Sequence, residues 1–310
     1  EFEKFFLNNI FKDIPIKYLE GYHKTKFFID QITFNPKVIL TANAYWGNDN
    51  FKFWLAKKKK NTKIIISCHG GSLPPLFDTF NHEEDISDFY TYWFKSNQFN
   101  RINLPPNKVF RKKKIKNIYC SYLGFESPRY SYRITAAPIT EGSLKVFDQS
   151  IDFYNLLNQN IQSKFKIRPY PNVGWETSLR YRDVLGEEKL CFNTNYNDFL
   201  YNSKWIICSY SQTTFSEAMY SGIPTTLLYI PDLNETIEET QELIKILKEV
   251  KIIFTDSNEA AKHINKYWSN PNEWWDSKEV VNARKIFFKM AYDDKKSWNL
   301  NWVDFLKSII

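Results

Sequence analysis

Residues 205–226 read WIICSYSQTTFSEAMYSGIPTT. The apolar run WIIC predicts a buried strand, and the hydroxyl-bearing residues that follow predict a helix start, with one of them as the N-cap. Gly222 is placed to end that helix, and the segment after Pro224 predicts the next strand. This order of strand, helix and strand is typical of a parallel sheet covered by helices.

The same alternation extends in both directions along the chain. In the second half of the chain, the apolar runs predict strands at residues 165–169, 189–193, 205–209, 225–229 and 252–254, with helices at 144–162, 177–185, 214–221 and 234–250. Upstream, they predict strands at 37–41, 63–68 and 115–122, a helix at 50–60, and an irregular segment at 71–108. A turn-rich break around residues 135–143 places the domain boundary near residue 140. The predicted fold class is therefore α/β, with Rossmann-like domains at residues 1–140 and 141–310.

Bulk composition restricts the classes of function. A chain of 310 residues with 43% hydrophobic residues can fill two cores. The net charge of +7 suits an anionic ligand, but no nucleic-acid motif accompanies it, so an anionic membrane face is a better candidate than nucleic acid. Four cysteines without a CxxC pair predict free thiols in a reducing compartment, hence a cytoplasmic protein. The chain begins at Glu1 without a methionine, which leaves an upstream part of the first domain open.

The hydroxyl-rich loop after WIIC predicts a ligand site. Ligands of open α/β sheets collect at the carboxyl ends of the strands, and the amides at a helix start favour a phosphate. Glu217 lies one turn into the helix, where its carboxylate is placed to accept ribose or sugar hydroxyls. An ordinary capped helix is the alternative interpretation. The predicted ligand contacts of this stretch are Ser209, Ser211, Thr213, Thr214 and Glu217.

Residues 167–175, IRPYPNVGW, form a second candidate element. Arg168 follows a predicted strand and precedes Pro169, so a fixed cation at a rigid loop is expected, as a phosphate or carboxylate clamp requires. Tyr170 and Arg180 are the further donor contacts predicted here. A surface arginine beside a turn is the alternative.

Residues 67–72, SCHGGS, directly follow the strand KIIIS. Gly70 and Gly71 allow the backbone to approach a ligand, and His69 is the candidate general base near neutral pH. A histidine with a purely structural role is the alternative.

Glu83, within HEED at residues 82–85, is a weaker candidate for the base. The other acidic residues of this segment are expected to form a solvated loop. The spacing differs from the helical His-Glu-x-x-His pattern of zinc enzymes, so no metal is expected.

The order of these motifs resembles that of transferases found in bacterial surface-polysaccharide gene clusters. The resemblance covers residues 36–288 and includes HGG, DFYTYW at 88–93, IRPYPNVGW with Arg180, SYSQTTFSEAMYSGIPT at 209–225, and Trp274-Trp275. It implies a GT-B-like arrangement of two Rossmann-like domains with a cleft between them and C-terminal helices packing back. The ordering is more distantly similar to that of Kdo and sialic acid transferases.

The resemblance implies a glycosyltransferase of polysaccharide or lipopolysaccharide synthesis. Such an enzyme takes a nucleotide-sugar, here a CMP-activated ulosonic acid, and transfers it with inversion to a glycan or lipid-linked glycan at the inner face of the membrane, without metal or other cofactor. One departure is Cys68, which stands where the family usually places Gln before HGG. Two alternatives stay open: a non-catalytic sugar-nucleotide or glycan-binding partner, and an epimerase-like enzyme acting on a UDP-sugar.

Overall fold

The computed structural model describes residues 1–58, 61–70, 81–95, 101–105, 114–130, 141–192, 195–233, 236, 238–290 and 298–310. Two parallel sheets organise these residues, one of four strands and one of five. This confirms the predicted α/β fold class. Among the described residues, no helix has the length and apolar character needed to cross a bilayer.

The first sheet has the strand order β1-β2-β3-β4, with every pair parallel. Its strands are β1 (Val38–Thr41), β2 (Lys63–Ser67), β3 (Phe89–Tyr92) and β4 (Arg101–Asn103). The accompanying helices are α1 (Phe2–Asn9), α2 (Tyr22–Asp30), α3 (Ala44–Gly47), α4 (Asp49–Lys58) and α5 (Asn81–Asp85). β3 and β4 lie in the segment expected to be irregular. That expectation was wrong, because β3 pairs with β2 and β4 pairs with β3, and this pairing stabilises strands too short to be recognised from periodicity.

The second sheet has the order β6-β5-β7-β8-β9 and is also fully parallel. Its strands are β5 (Tyr119–Leu123), β6 (Phe165–Arg168), β7 (Ser203–Cys208), β8 (Thr225–Leu228) and β9 (Ile253–Phe254). Its helices are α6 (Gly142–Asn155), α7 (Gln159–Gln162), α8 (Thr177–Leu185), α9 (Tyr196–Tyr201), α10 (Thr213–Ser221), α11 (Glu238–Glu249), α12 (Ser257–Tyr267), α13 (Asn272–Trp275), α14 (Lys278–Met290) and α15 (Trp298–Ile309).

The sheets divide the chain upstream of the boundary predicted near residue 140. β5 was expected in the first domain, but it pairs with β6 and β7 at the middle of the second sheet. The chain therefore passes from the first sheet to the second between Asn103 and Tyr119. The reason is that strand pairing is a non-local choice, whereas the turn-rich break that suggested the boundary is a local signal.

The strand predicted at residues 189–193 was also wrong for the part that the structure describes, residues 189–192. Glu187–Lys189 form a short 3-10 helix, and Leu190 makes an isolated bridge to Ile167. Gly186 ends α8 with a φ of 90°, so the chain turns before it reaches the sheet edge. In the described part of this stretch, residues 189–192, no strand forms beyond that bridge.

The C-terminal helices join the two sheets. Phe287 of α14 lies 5.9 Å from the ring of Phe94, which follows β3. Trp302 of α15 donates from its indole nitrogen to the carbonyl oxygen of Pro105 at 3.1 Å. The helices after β9 therefore pack back across the first domain, as expected.

Candidate active site

The loop after β7 lies where the order of the second sheet reverses. The chain runs from β5 to β6 on one side and then to β7 on the other side of β5. Ligands of open α/β sheets bind in the crevice at such a switch point, outside the carboxyl ends of the strands. Residues 209–212 connect β7 to α10 at this crevice, which places the predicted loop at the expected edge.

The start of α10 differs from the prediction in one respect. Gln212 holds the N-cap position and makes no side-chain capping bond, so the expectation that a Ser or Thr caps the helix was wrong. Ser209 instead donates its hydroxyl to the carbonyl of Leu123 at 2.8 Å, tying the loop to β5. No side-chain cap therefore occupies the first-turn amides of α10, which is the condition for anion binding at a helix start.

The HGG loop of the first sheet meets this helix start. A Cβ atom added to Gly70 would lie only 2.0 Å from Oγ1 of Thr213, the first residue of α10. The preceding residue, His69, is exposed, and the amide of Cys68 is held by the carbonyl of Thr91 at 2.8 Å. The loop after β2 and the start of α10 thus meet at Gly70 and Thr213. Gly71 lies outside the described residues.

Arg168, Tyr196 and Glu217 follow one another from the end of β6 to α10. The guanidinium of Arg168, at the end of β6, lies 5.8 Å from the ring centroid of Tyr196 at the start of α9. The Tyr196 hydroxyl lies near the carboxylate of Glu217, a residue that is 4% exposed. Burial, and then the charge of Glu217, raises the pKa of Tyr196 well above its usual value. Arg168 is half-buried on a strand end, a more rigid position than a loop.

The remaining predicted residues surround the same loops. Ser211 is buried, and the buried hydroxyl oxygen of Thr214 faces the hydroxyl of Tyr210. The Tyr170 ring lies 6.4 Å from that of Tyr210, and Arg180 is exposed, donating from Nε to the Trp175 carbonyl at 3.0 Å. Tyr170 therefore lies near the α10 loop, whereas Arg180 fastens the end of the IRPYPNVGW segment.

Glu126 is a site residue that the sequence interpretation missed. It follows β5 and is 1% exposed. Its carboxylate accepts from the amides of Val173 and Trp175 at 2.9 Å each, and from both the amide and the hydroxyl of Thr177. One buried carboxylate therefore shapes the loop between β6 and α8. The available signal was its place in GFESP, directly after a strand end.

Glu83 lies in a different setting from the one expected. It belongs to α5 and is 5% exposed, and Oε1 accepts a hydrogen bond from the Tyr45 hydroxyl at 2.8 Å. Its neighbour Glu84 forms an ion pair with Arg101. The solvated acidic loop was therefore a wrong expectation for Glu84, because β4, which supplies Arg101, was not recognised. The hydrogen bond from Tyr45 gives Glu83 a partner within the first domain.

Two parallel sheets with a cleft at their strand ends, crossed by C-terminal helices, define a two-domain α/β protein of the GT-B type. A sequence model of the LIC12162 family transferases matches residues 1–306, and the chain belongs to this family. It is therefore an enzyme of the transferase class, which confirms the resemblance stated from the motifs. No curated protein sequence matches the chain.

Solved structures are similar in fold. A candidate UDP-N-acetylglucosamine 2-epimerase from Listeria monocytogenes has a TM-score of 0.53 and 11% identity, covering 89% of this chain and 74% of that one. TarM has a TM-score of 0.50 and 12% identity, covering 92% of this chain and 57% of TarM. MurG from Acinetobacter baumannii has a TM-score of 0.49 and 10% identity, covering 95% and 80%. The chain thus spans less than two thirds of TarM, and at these identities the likeness establishes the fold alone.

Proposed function

We propose that this transferase moves a glycosyl group from a nucleotide-sugar to a glycan acceptor in the cleft between its two sheets. The observation that supports the proposal is the approach of Gly70 to Thr213, since it brings the loop that carries His69 to the start of α10. Transfer requires a base that takes a proton from the acceptor, and positively charged groups of the protein beside the departing phosphate. The two faces of the cleft offer one of each.

The donor side is assigned to the second sheet. The first-turn amides of α10 and the Arg168 guanidinium supply positive charge to the phosphate, so the proposed transfer needs no metal. Glu217 is placed beside them for ribose or sugar hydroxyls. Ser211, Thr213 and Thr214 provide hydroxyls around the same helix start, whereas the Ser209 hydroxyl holds the loop to Leu123. A CMP-activated ulosonic acid is the first donor to test.

The acceptor side is assigned to the first sheet. His69 is exposed at the end of β2, one residue from the contact with α10. In the proposed reaction its imidazole takes the proton of an acceptor hydroxyl, that oxygen attacks the anomeric carbon from the face opposite the nucleotide, and the nucleotide leaves with the bonding electrons. The outcome is inversion. The proposed acceptor is a cell-surface glycan or its lipid-linked precursor, taken at the inner face of the membrane.

The test separates binding from chemistry. Calorimetry with CMP, UDP and GDP identifies the base, and transfer is followed by mass spectrometry with the matching sugar nucleotides. Arg168→Ala is expected to weaken nucleotide binding about tenfold or more, because a hydrogen bond to a charged group contributes about 1.5–3 kcal/mol. Arg182→Ala is the matched control, since Arg182 is exposed and forms an ion pair with the adjacent Asp183 at 3.2 Å.

His69→Ala is expected to retain nucleotide affinity while lowering kcat at least about a hundredfold, the usual contribution of a general base. Loss of affinity with unchanged kcat would contradict the assigned role. A wild-type protein that binds none of the three nucleotides and consumes no donor would overturn the proposal. Normal biological activity in a His69→Ala strain, with Arg168→Ala inactive, would favour a non-catalytic binding partner.

The fold likeness to a candidate UDP-N-acetylglucosamine 2-epimerase motivates a second function. An epimerase-like enzyme uses the same two-domain cleft to change a UDP-sugar without any acceptor. Incubation with UDP-N-acetylglucosamine alone distinguishes the two. A new sugar stereoisomer formed in the absence of acceptor supports the epimerase, whereas an acceptor-dependent product supports transfer.

A further inference from the structure

Exposed apolar side chains are concentrated at one end of the chain. Of the 24 large hydrophobic residues that are exposed in the described part of the chain, 13 lie between Phe2 and Phe34. Helix α1 contains no buried residue, and α2 contains one, Ile29. The exposed set is Phe2, Phe5, Phe6, Leu7, Phe11, Ile16, Tyr18, Leu19, Tyr22, Phe27, Phe28, Ile32 and Phe34.

This exposure is physically unusual. An isolated helix of eight residues is unstable in water, because its nucleation cost exceeds what so few hydrogen bonds return. Helices of this length normally gain stability by burying an apolar face. In α1, however, Phe2, Phe5 and Leu7 are 79%, 66% and 63% exposed. Within the described residues, α1 therefore packs no apolar face against the rest of the fold.

The neighbouring helix is attached to the domain and presents its apolar residues outward. The Tyr18 hydroxyl donates to Asp49 at 2.8 Å, and the Tyr22 ring lies 5.5 Å from that of Phe53 on α4. Lys57 pairs with Asp30 at the end of α2. These contacts hold α2 against α4, while Phe27 and Phe28 stay 63% and 57% exposed. The apolar surface is thus mounted on the first domain.

The segment that follows the exposed set carries almost all of the excess positive charge. Residues 1–34 contain five lysines and five acidic residues, whereas residues 37–63, which include α4, contain seven lysines and one acidic residue, a net +6 of the chain's +7. Lys57 and Lys58 form the end of α4, to which α2 is attached. Aromatic residues that enter an acyl boundary, surrounded by lysines that contact phosphates, are the signature of a surface that lies on an anionic bilayer.

We propose that α1, residues 10–12 and α2 form a docking surface for an anionic lipid bilayer. The exposed side chains point around α1 on several sides and continue over separate short helices, an arrangement that a fluid lipid surface accommodates better than a rigid protein groove. This inference deepens the membrane location in the proposed function, and it places the first sheet, with the proposed acceptor side, next to the bilayer.

Vesicle flotation tests the surface directly, without donor or acceptor. The full chain is mixed with vesicles of phosphatidylcholine alone or with 30% phosphatidylglycerol, at low and high salt. We expect binding to the anionic vesicles that weakens with salt. Phe2→Ser/Phe5→Ser/Phe27→Ser is expected to reduce the bound fraction at least about tenfold. Tyr130→Ser/Phe192→Ser is the matched control, because these aromatic residues are 83% and 54% exposed elsewhere.

The charge contribution is tested separately with Lys4→Gln/Lys24→Gln. This variant is expected to lose binding to anionic vesicles while folding normally by circular dichroism. Equal binding by the wild type and the triple Phe variant would overturn the proposal. So would a concentration-dependent dimer in light scattering without lipid that the triple variant abolishes, since the surface would then serve a second copy. Because the vesicle assay contains no substrate, a negative result in it does not bear on glycosyl transfer. A negative result in the transfer assay likewise does not bear on vesicle binding.

Discussion

The contact between Gly70 and Thr213 predicts a specific steric coupling between the two sheets. A Cβ atom at position 70 would lie 2.0 Å from Thr213 Oγ1, 3.4 Å from its Cβ and 3.7 Å from its Cγ2. Ordinary contacts begin near 3.5 Å, so the methyl group of Gly70→Ala is about 1.5 Å too close to the hydroxyl. The backbone of Gly70 does not have a positive φ, so alanine meets a steric obstacle and no conformational one.

Relief of this overlap requires rotation of Thr213 or separation of the loop from α10. Overpacking of this kind typically costs about 1–3 kcal/mol, and Gly70→Ala should lower the free energy of unfolding by that amount. Thr213→Ala removes the Oγ1 and Cγ2 atoms and leaves its Cβ at 3.4 Å, close to normal contact. Adding Gly70→Ala to Thr213→Ala should therefore cost almost nothing.

The measurement is urea unfolding of the four proteins of this double-mutant cycle, followed by tryptophan fluorescence. A coupling energy of about 1–3 kcal/mol is expected. Gly47→Ala is the matched control, because a Cβ there meets nothing within 4 Å and the residue ends α3. Additive effects of the two substitutions would refute the reasoning. So would a Gly70→Ala protein as stable as the wild type, because the cleft would then not be closed at this point.

Two further predictions concern buried ionisable groups. Glu126→Ala should lower the free energy of unfolding by about 3 kcal/mol, because three amides and one hydroxyl lose their acceptor. Chemical denaturation measures this loss, and the control Glu187→Ala, at an exposed residue, should change the free energy of unfolding by under about 0.5 kcal/mol. Equal effects of the two substitutions would contradict the role of Glu126. Burial lowers the pKa of His263 from 6.5 to about 4. Between pH 6.5 and about pH 4, His263 is protonated in the unfolded chain but stays neutral in the folded protein. The free energy of unfolding is therefore highest above pH 6.5 and falls as the pH drops toward 4. Because the ring keeps some solvent contact, the expected loss is about 2 kcal/mol. Thermal melts against pH should be flatter for His263→Phe than for His23→Gln, and identical profiles would contradict the assignment.

Much of the fold is predictable from local sequence patterns. Helix α8 was predicted with its observed bounds, and Gly222 ends α10 with a φ of 78°, as its position suggested. Strands β1, β2, β6, β7 and β8 were predicted within about two residues. These elements are determined by apolar runs, helical period and a residue suited to the left-handed region, all of which act over a few neighbouring residues.

The candidate site was predicted less evenly. The loops that carry His69, Arg168 and the start of α10 were identified because each follows an apolar strand. Glu126 escaped notice because its partners lie about 50 residues away, so no local pattern links them. Ser209 was expected at the ligand but is committed to the carbonyl of Leu123 on a neighbouring strand. A hydroxyl's partner depends on which strands become neighbours.

The sequence by itself determined the α/β class, most of the strands and helices, and the family resemblance, because these depend on short-range periodicity and on motifs readable in order. Only the tertiary structure decided that β5 belongs to the second sheet, that Glu83 is buried beside Tyr45, and that Gly70 meets Thr213. It also decided that α1 buries none of its residues. The physical reason is common to all four: strand pairing, burial and close approach depend on residues distant in the chain, and no local propensity encodes them.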